Sequence, residues 1–427
     1  MSSQPLLASS LASAIDAGVA AIESKVIAWR RDLHQHPELG NREFRTAGIV
    51  AAHLKALRFD DVRTEVAYTG VVGLLKGGVP GPVIALRADM DALPVDEQVD
   101  VPFASKVRAQ WNGEDVGVMH ACGHDAHVAM LMGVAEVLAG LRERLPGTVK
   151  FIFQPAEEMP PEGEEGGAQL MIKQGALENP RPEAIFGLHI TSRLPTGVIG
   201  YRSGPVMASS DTLRISVLGR QTHGAMPWAG VDPIVAAAQV VLGLQTIVSR
   251  QIDLTREPAV VTIGAIKGGV RDNIIPDSVE MRGTIRSFDE AMRDDIHQRV
   301  KDTAVNIAKA SRAGCEVCIS KNYPVTVNDA ELTALMLPTL QRAAGAEQVM
   351  LIPKVSGSED FSFFQHVVPG LFFFVGVTPQ GQDPLAVAPN HSPRFFVDET
   401  ALALGVRAMA HVACDFLEAP AERRALA

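Results

Sequence analysis

The sequence predicts an α/β fold with a second, α+β domain inserted into it, and two observations carry that prediction. Short, largely apolar runs at 83–87, 149–154, 184–189 and 371–375 read as buried strands, and strongly periodic helical stretches accompany them. Between residues 212 and 320 the elements instead follow the order β-α-β-β-α-β, the split βαβ or ferredoxin-like unit. The larger domain is therefore expected to span 1–203 and 316–427, with the inserted domain at 204–315.

Composition narrows the function classes. The chain has 427 residues, enough for two or three domains, and 47% of them are hydrophobic against 21% charged. Its net charge is −10 and it has no basic run, which excludes nucleic acid as a partner because phosphate binding needs clustered Lys and Arg. No apolar run is expected to span a bilayer, and residues 1–20 lack the positive start and apolar core of a signal peptide. Four cysteines at this size are too few for a disulfide framework, so a reducing, cytoplasmic setting is expected. Cys315 and Cys318 have C-x-x-C spacing, but the segment alternates like a strand and has no second pair nearby; no redox or zinc role is read there.

Taken in order, residues 11–33 carry apolar positions at helical spacing (Ile15, Val19, Ile22, Val26, Trp29, Leu33) and read as an amphipathic helix stopped by Pro37. His34 and His36 at its end are expected to cap it or face solvent. The strand 83–87 runs into Asp89 and Asp91, two carboxylates at the end of a strand where open α/β sheets place their sites. Next comes the densest stretch, His120-Ala121-Cys122-Gly123-His124-Asp125-Ala126-His127, which offers thiolate, imidazole and carboxylate donors to a borderline-soft divalent metal. Val128, Leu131, Val134, Leu138, Leu141 and Leu145 follow as one helical stripe, ended by Pro146-Gly147. The cluster thus lies at a helix N-terminus, whose dipole is expected to favour a Cys122 thiolate.

The strand 149–154 ends in Gln154-Pro155-Ala156-Glu157-Glu158, placed by this reading at a sheet edge. A metal hydrolase needs one carboxylate to bind metal and another to move protons, and this pair can supply both. Residues 159–167 read as a loop. The strand 184–189 ends in His189. In the inserted domain, strands at 212–218, 259–266, 278–285 and 315–320 and helices at 232–250 and 289–309 leave His223 in the loop after the first strand. The strand 371–375 is apolar enough for a central place in the sheet; Asn390-His391-Ser392-Pro393 and a helix at 399–417 close the chain.

Cys122-Gly123-His124-Asp125-Ala126-His127, Gln154-Pro155-Ala156-Glu157-Glu158, Gly187-Leu188-His189 and His391-Ser392-Pro393, together with Asp89-Met90-Asp91 and Gly357-Ser358-Glu359-Asp360-Phe361, occur in the order found in the amidohydrolase branch of the M20 metallopeptidases. The chain resembles that branch, which includes hippurate hydrolases, N-acyl-amino-acid amidohydrolases and auxin-conjugate hydrolases, from about residue 29 to about 405. The resemblance implies a zinc-peptidase-like catalytic domain with a mixed, mainly parallel sheet, and an inserted lid that also forms a homodimer or higher homo-oligomer. It implies that Cys122, His124, Glu158, His189 and His391 bind two divalent ions per subunit (Zn, Mn, Co or Ni), and that Glu157 is the acid/base. It also implies that His223 reaches the partner subunit's active site and that Asn273 helps hold substrate. Other M20 branches have a histidine ligand where Asp89 stands; here Asp89, Asp91 and Asp125 are expected to orient ligands instead.

The activity so implied is hydrolysis of a linear amide in a small N-acyl amino acid by a water activated at the metals. The alternatives are a metallo-dipeptidase or carboxypeptidase, and a catalytically silent ligand-binding protein on the same scaffold. The presence of Glu157 weighs against the last. No G-x-S-x-G elbow or P-loop supports a serine hydrolase or a nucleotide-binding protein.

Overall fold

The structure is a computed structural model that describes residues 10–424. The reading of the N-terminus as free of a signal peptide falls in part on residues 1–9, outside the described residues. The chain forms two compact units: one comprises Pro205–Thr326 with Lys354–Ser362, the other the rest of the described chain.

The larger unit is built on an eight-stranded sheet. Pro146–Gln154, Val79–Asp89, Ala184–Pro195 and Gly370–Thr378 lie side by side in that order at its centre, all parallel. Antiparallel strands Gly70–Lys76 and Asp61–Val66 extend one side; Ile199–Tyr201, antiparallel to Gly370–Thr378, and Val349–Leu351 extend the other. Every residue of Gly370–Thr378 is buried, as a central strand requires. Pro146–Gln154 sits between two neighbours, so Glu157 and Glu158 follow an interior strand rather than a sheet edge, contrary to expectation. The helix after Asp89, His124–Gly140, connects two parallel neighbours. It is buried nearly all round, because helices Ala12–Gln35 and Ala401–Glu418 pack on it as well as the sheet. That helix stops at Gly140, before the stripe expected to continue to Leu145.

This parallel arrangement positions the candidate residues. Asp89 and the turn carrying Glu157 and Glu158 lie at the C-terminal ends of adjacent parallel strands, whereas His189, expected to end its strand, lies midway along Ala184–Pro195, just past Gly187 where the pairing with Val79–Asp89 stops.

The second unit is a four-stranded antiparallel sheet ordered Ala259–Gly268, Ser278–Ser287, Ser210–Leu218, Gly314–Tyr323. With helices Pro233–Thr246 and Glu290–Ala310 this is the β-α-β-β-α-β order. Leu213, Ile215 and Val217 of the first strand form its core with Ala236, Val240 and Leu244 of one helix and Ile296, Val300 and Ala304 of the other. The buried Asp211 carboxylate accepts from Arg293 and pairs with His297 Nε2, tying the first strand to the second helix. The expected boundary at 315/316 would cut the strand Gly314–Tyr323, which pairs with Ser210–Leu218 along its whole length; the unit runs on to Thr326 and takes back residues 354–362. Cys315 and Cys318, three apart on that strand, fall on opposite faces, and both are free thiols.

One expectation about membranes is corrected. The stretch Pro233–Gln251 is, by length and composition alone, long and apolar enough to cross a bilayer. The reason is local: Ala236, Ala237, Val240, Leu244 and Ile247 form the core of the second unit, while Ile234, Val235 and Leu242 are apolar and exposed.

Candidate metal centre

Cys122 precedes the helix His124–Gly140, separated from it by Gly123 at φ +93°. A Cβ at Gly123 would come within 2.2 Å of Ile190 Cδ1, so glycine is required both for the left-handed turn and for the close approach. The turn brings the thiol to two imidazoles: Cys122 Sγ is 3.3 Å from His189 Nε2 and 3.2 Å from His391 Nε2. His391 Nε2 is in turn 2.9 Å from Glu158 Oε1.

Hydrogen bonds on the far side of each ring show which nitrogen is available. His189 Nδ1 lies 2.6 Å from Ile190 O, an acceptor only, so Nδ1 carries the hydrogen and the Nε2 lone pair faces Cys122. His124 Nδ1 lies 3.2 Å from Asp91 Oδ1, and its buried Nε2 makes no hydrogen bond. His127 behaves differently although it lies in the same stretch. Its Nε2 accepts from Ile190 N at 2.9 Å and its Nδ1 donates to Asp89, so both nitrogens are in use within the protein. The carboxylate and rings of Asp89, His124 and His127 lie close enough to suggest a metal site, but this assignment of hydrogens makes His127 a structural group. His120 is buried with neither ring nitrogen hydrogen-bonded; burial pushes its pKa down to about 4, and it is in none of the donor groups found among the described residues.

Of the other donor groups among the described residues, two contain the thiol, each with its atoms within 4.8 Å of one another: Cys122, His124 and His189, and Cys122, Glu158 and His391. Cys122 is common to both. A third group, His124, Glu157 and Glu158, sets the other glutamate beside them. The structure thus brings together all the residues expected to bind metal and the expected acid/base.

The residues fit a divalent cation. The donor set mixes thiol, imidazole and carboxylate, as Zn, Co, Ni and Mn sites do. His124 offers among them a buried Nε2 that makes no hydrogen bond. Electrostatics point the same way. Burial pushes the Cys122 thiol well above its ordinary range, and Glu158, Glu157 and Asp89 push it further. The helix N-terminus expected to yield a thiolate is outweighed; a cation is what would balance that charge. Burial lowers the His124 pKa, but Asp89 and Asp91 outweigh it and raise the ring to about 10.

Asp91 holds the site together. Its two oxygens accept from the backbone N–H groups of Glu157 and Glu158, both at 3.0 Å, and Oδ1 also holds the His124 ring. The turn it grips is strained: Ala156 has φ +50°, a left-handed conformation costing an alanine about 1–2 kcal/mol. Asp89 bonds Arg87 and His127, and lies 3.7 Å from His124 Nε2. Asp125 is spent elsewhere: it accepts from Arg30 Nε at 2.8 Å and pairs with His34 Nδ1 at 2.8 Å, fixing the long N-terminal helix to the start of His124–Gly140. Neighbouring Arg30 and His34 outweigh burial and hold the Asp125 carboxyl far below its usual range. His34, expected near solvent, is therefore buried between Asp125 and Glu97, whereas His36 does cap the helix end by bonding Asp32 O.

Sequence reasoning did not single out Asn390. Its amide donates to Cys122 O at 3.1 Å and Ile190 O at 3.2 Å, and its oxygen accepts from Ser192 N, so one side chain sets the backbone around three candidate donors. His391 beside it has φ +71°. Position directly before a candidate ligand was the available signal.

In the second unit, His223 and Asn273 are brought together. Thr222–His223 pairs with Ile274–Ile275, and Gly224 N donates to Asn273 O. His223 is exposed, and its Nδ1 accepts from Ala225 N at 3.0 Å, which leaves an Nε2–H donor facing outward.

Comparisons with known proteins give the family of the chain. The chain is 41% identical over 399 residues to thermostable carboxypeptidase 2 of Saccharolobus solfataricus, covering 93% of this chain and 97% of that protein. It is 38% identical over 398 residues to the N-acetylcysteine deacetylase of Bacillus subtilis, covering 93% and 98%. Among solved structures it resembles the Bacillus subtilis YXEP protein, described as a dinuclear metal binding peptidase, with a TM-score of 0.77 and 36% identity over 93% of this chain and 99% of that one. Residues 85–415 match the profile of peptidase family M20/M25/M40, and on these grounds the chain belongs to that family.

Proposed function

We propose that the protein is a metal-dependent amidohydrolase that cleaves N-acyl amino acids to a carboxylic acid and a free amino acid. The observation that carries this reading is the pair of donor groups sharing Cys122, with Glu157 beside them at the strand ends. Cys122, His124, Glu158, His189 and His391 would hold two divalent ions. Bound there, such ions supply Lewis acidity, lowering the pKa of a water and polarising a carbonyl oxygen.

The remaining work falls to the chain. Glu157, buried and backbone-anchored to Asp91, would take a proton from the attacking water and deliver it to the departing amine nitrogen. Asp91 would hold His124 and both glutamates in register. His223 presents an Nε2–H suited to donate to the developing oxyanion, and the family resemblance assigns it to the partner subunit's site, with Asn273 nearby for substrate. A reducing compartment such as the cytoplasm suits Cys122, whose oxidation would remove the donor common to both groups.

The test is hydrolysis of N-benzoyl-glycine, N-acetyl amino acids and Gly-Leu by metal-stripped protein, with and without Mn, Zn, Co or Ni. Metal-dependent release of amino acid from the acylated compounds alone is expected. Cleavage of the dipeptide alone would replace this reading with a peptidase, the second reading, which the 41% identity to a carboxypeptidase favours.

We also propose a homodimer through the second unit. Its helix Pro233–Thr246 leaves Leu242 71% exposed and Val235 53% exposed, and strand Ala259–Gly268 forms an open edge of the sheet with Ile266 55% exposed. A second copy would cover this apolar surface. Leu242→Glu is expected to convert a dimer to monomer by light scattering, and to lower activity as His223→Ala does, because each site would lose its partner's donor. A monomeric wild type would refute the proposal.

A further inference from the structure

Glu43 is a buried carboxyl to which the proposed mechanism gives no task. It is fully buried and begins the helix Phe44–Ala56, yet its side chain does not cap that helix. Glu38 does so instead, accepting from Arg45 N at 2.8 Å and Thr46 N at 2.9 Å. Glu43 is thereby released to turn inward. Its Oε1 accepts from Ala156 N at 2.9 Å and its Oε2 shares a hydrogen bond with the Thr69 hydroxyl.

Ala156 N is the first of three consecutive backbone N–H groups that end on buried carboxylates. Glu157 N and Glu158 N, the other two, go to Asp91. The strained residue of the turn is Ala156 itself, at φ +50°. A non-glycine residue stays in that conformation only where its surroundings over-determine it. Gly40, three residues before Glu43, approaches Ala156 so closely that a Cβ there would stand 3.2 Å from Ala156 Cβ. The same short segment pins the following loop: Asn41 Nδ2 donates to Glu165 O, and Arg42 pairs with Glu164.

We infer that Glu43 is a positioning residue for the proposed hydrolysis: through Ala156 it fixes the turn that aims the acid/base Glu157 and the donor Glu158. The inference rests on the function proposed above. Glu43 acts as a hydrogen-bonding wedge rather than as a charge. Both of its oxygens accept, Oε1 from Ala156 N and Oε2 from the Thr69 hydroxyl, while burial, and then Asp91 nearby, push its carboxyl up to about 8. A glutamine keeps the contact to Ala156 N and can donate to Thr69 Oγ1 where the carboxylate accepted from it; an aspartate, one methylene shorter, does not reach.

The test compares Glu43→Gln, Glu43→Asp and Glu43→Ala in the full-length protein. Three quantities are read: Co²⁺ affinity from absorbance titration of metal-free protein, kcat and KM on an N-acyl amino acid, and Tm. Glu43→Gln is expected to stay within about threefold of wild type, while Glu43→Asp and Glu43→Ala weaken Co²⁺ binding and lower kcat by about 10–100-fold at nearly constant KM. If Glu43→Asp and Glu43→Ala lose only Tm, with Co²⁺ affinity and kcat intact, Glu43 is merely structural and the inference is overturned. Equal losses in Glu43→Gln and Glu43→Asp also overturn it, and this pair decides the matter should Glu43→Ala fail to fold. A wild type that binds Co²⁺ but hydrolyses no N-acyl amino acid would remove the substrate reading alone, leaving the Co²⁺ comparison to judge Glu43.

Discussion

Glu157→Gln is expected to lower kcat by about 10²–10⁴-fold, the range that a positioned general acid/base contributes. The change keeps the shape and the backbone hydrogen bond to Asp91 that sets the turn. It removes only the capacity to accept a proton from water and pass it to the leaving nitrogen. Glu158, the adjacent candidate ligand, is untouched, so metal bound per subunit should match wild type by elemental analysis, and KM should move little. Near-normal turnover would show that the proton is handled elsewhere. A loss of metal together with activity would mean that Glu157 is a ligand, which its closeness to His124 and Glu158 makes a pointed alternative.

Cys122→Ser is expected to have the second large effect, and on a different observable. Cys122 belongs to both donor groups, whereas His189 and His391 each belong to one. A serine hydroxyl is a far weaker donor than a thiolate and does not ionise near neutrality. Both ions should therefore bind more than about 100-fold more weakly, exceeding the 10–100-fold typical of residues that only orient ligands. His391→Ala should spare the group formed with His124 and His189. Titration calorimetry on metal-free protein separates the two patterns: two weakened sites in one variant, one in the other. Cys122→Ser protein that still holds two ions tightly would show that the shared position is not what joins the groups.

The candidate site was legible in sequence because its donors sit where apolar strands stop. Asp89 ends one such strand, Glu157 and Glu158 follow another after a single proline turn, and His189 closes the apolar run 184–189 although its strand continues to Pro195. Parallel strands with buried faces are continuous apolar runs, so their ends are sharp in the sequence. The groups that steady the donors were not legible. Glu43 lies in a Gly-Asn-Arg-Glu turn that reads as ordinary polar loop, and its partner Ala156 is 113 positions away. Asp125 looked like a ligand-orienting group from its place beside His124, but its direction depends on Arg30 and His34 of a helix that sequence order does not place against it. For Cys122 the helix N-terminus is visible in sequence, whereas the burial and carboxylates that push its thiol upward are not. The boundary of the inserted unit was missed for a similar reason: residues 354–362 rejoin it after an intervening segment, and no local pattern marks a return in space.

His391 reaches Cys122 across a sequence separation of 269, and Asn390 binds the Cys122 carbonyl across one of 268. The whole inserted unit hangs from the loop those contacts close. An ion held by Cys122 and His391 would then be a staple across that loop. A growing chain that has not yet emitted residue 391 would lack one complete donor group, so tight capture of two ions would report that synthesis had reached its last part. Once stapled, the larger unit would have its early and late segments joined whether or not the inserted unit were folded. Removing the ions should therefore loosen the junction between the two stretches of the larger unit before it loosens the inserted one.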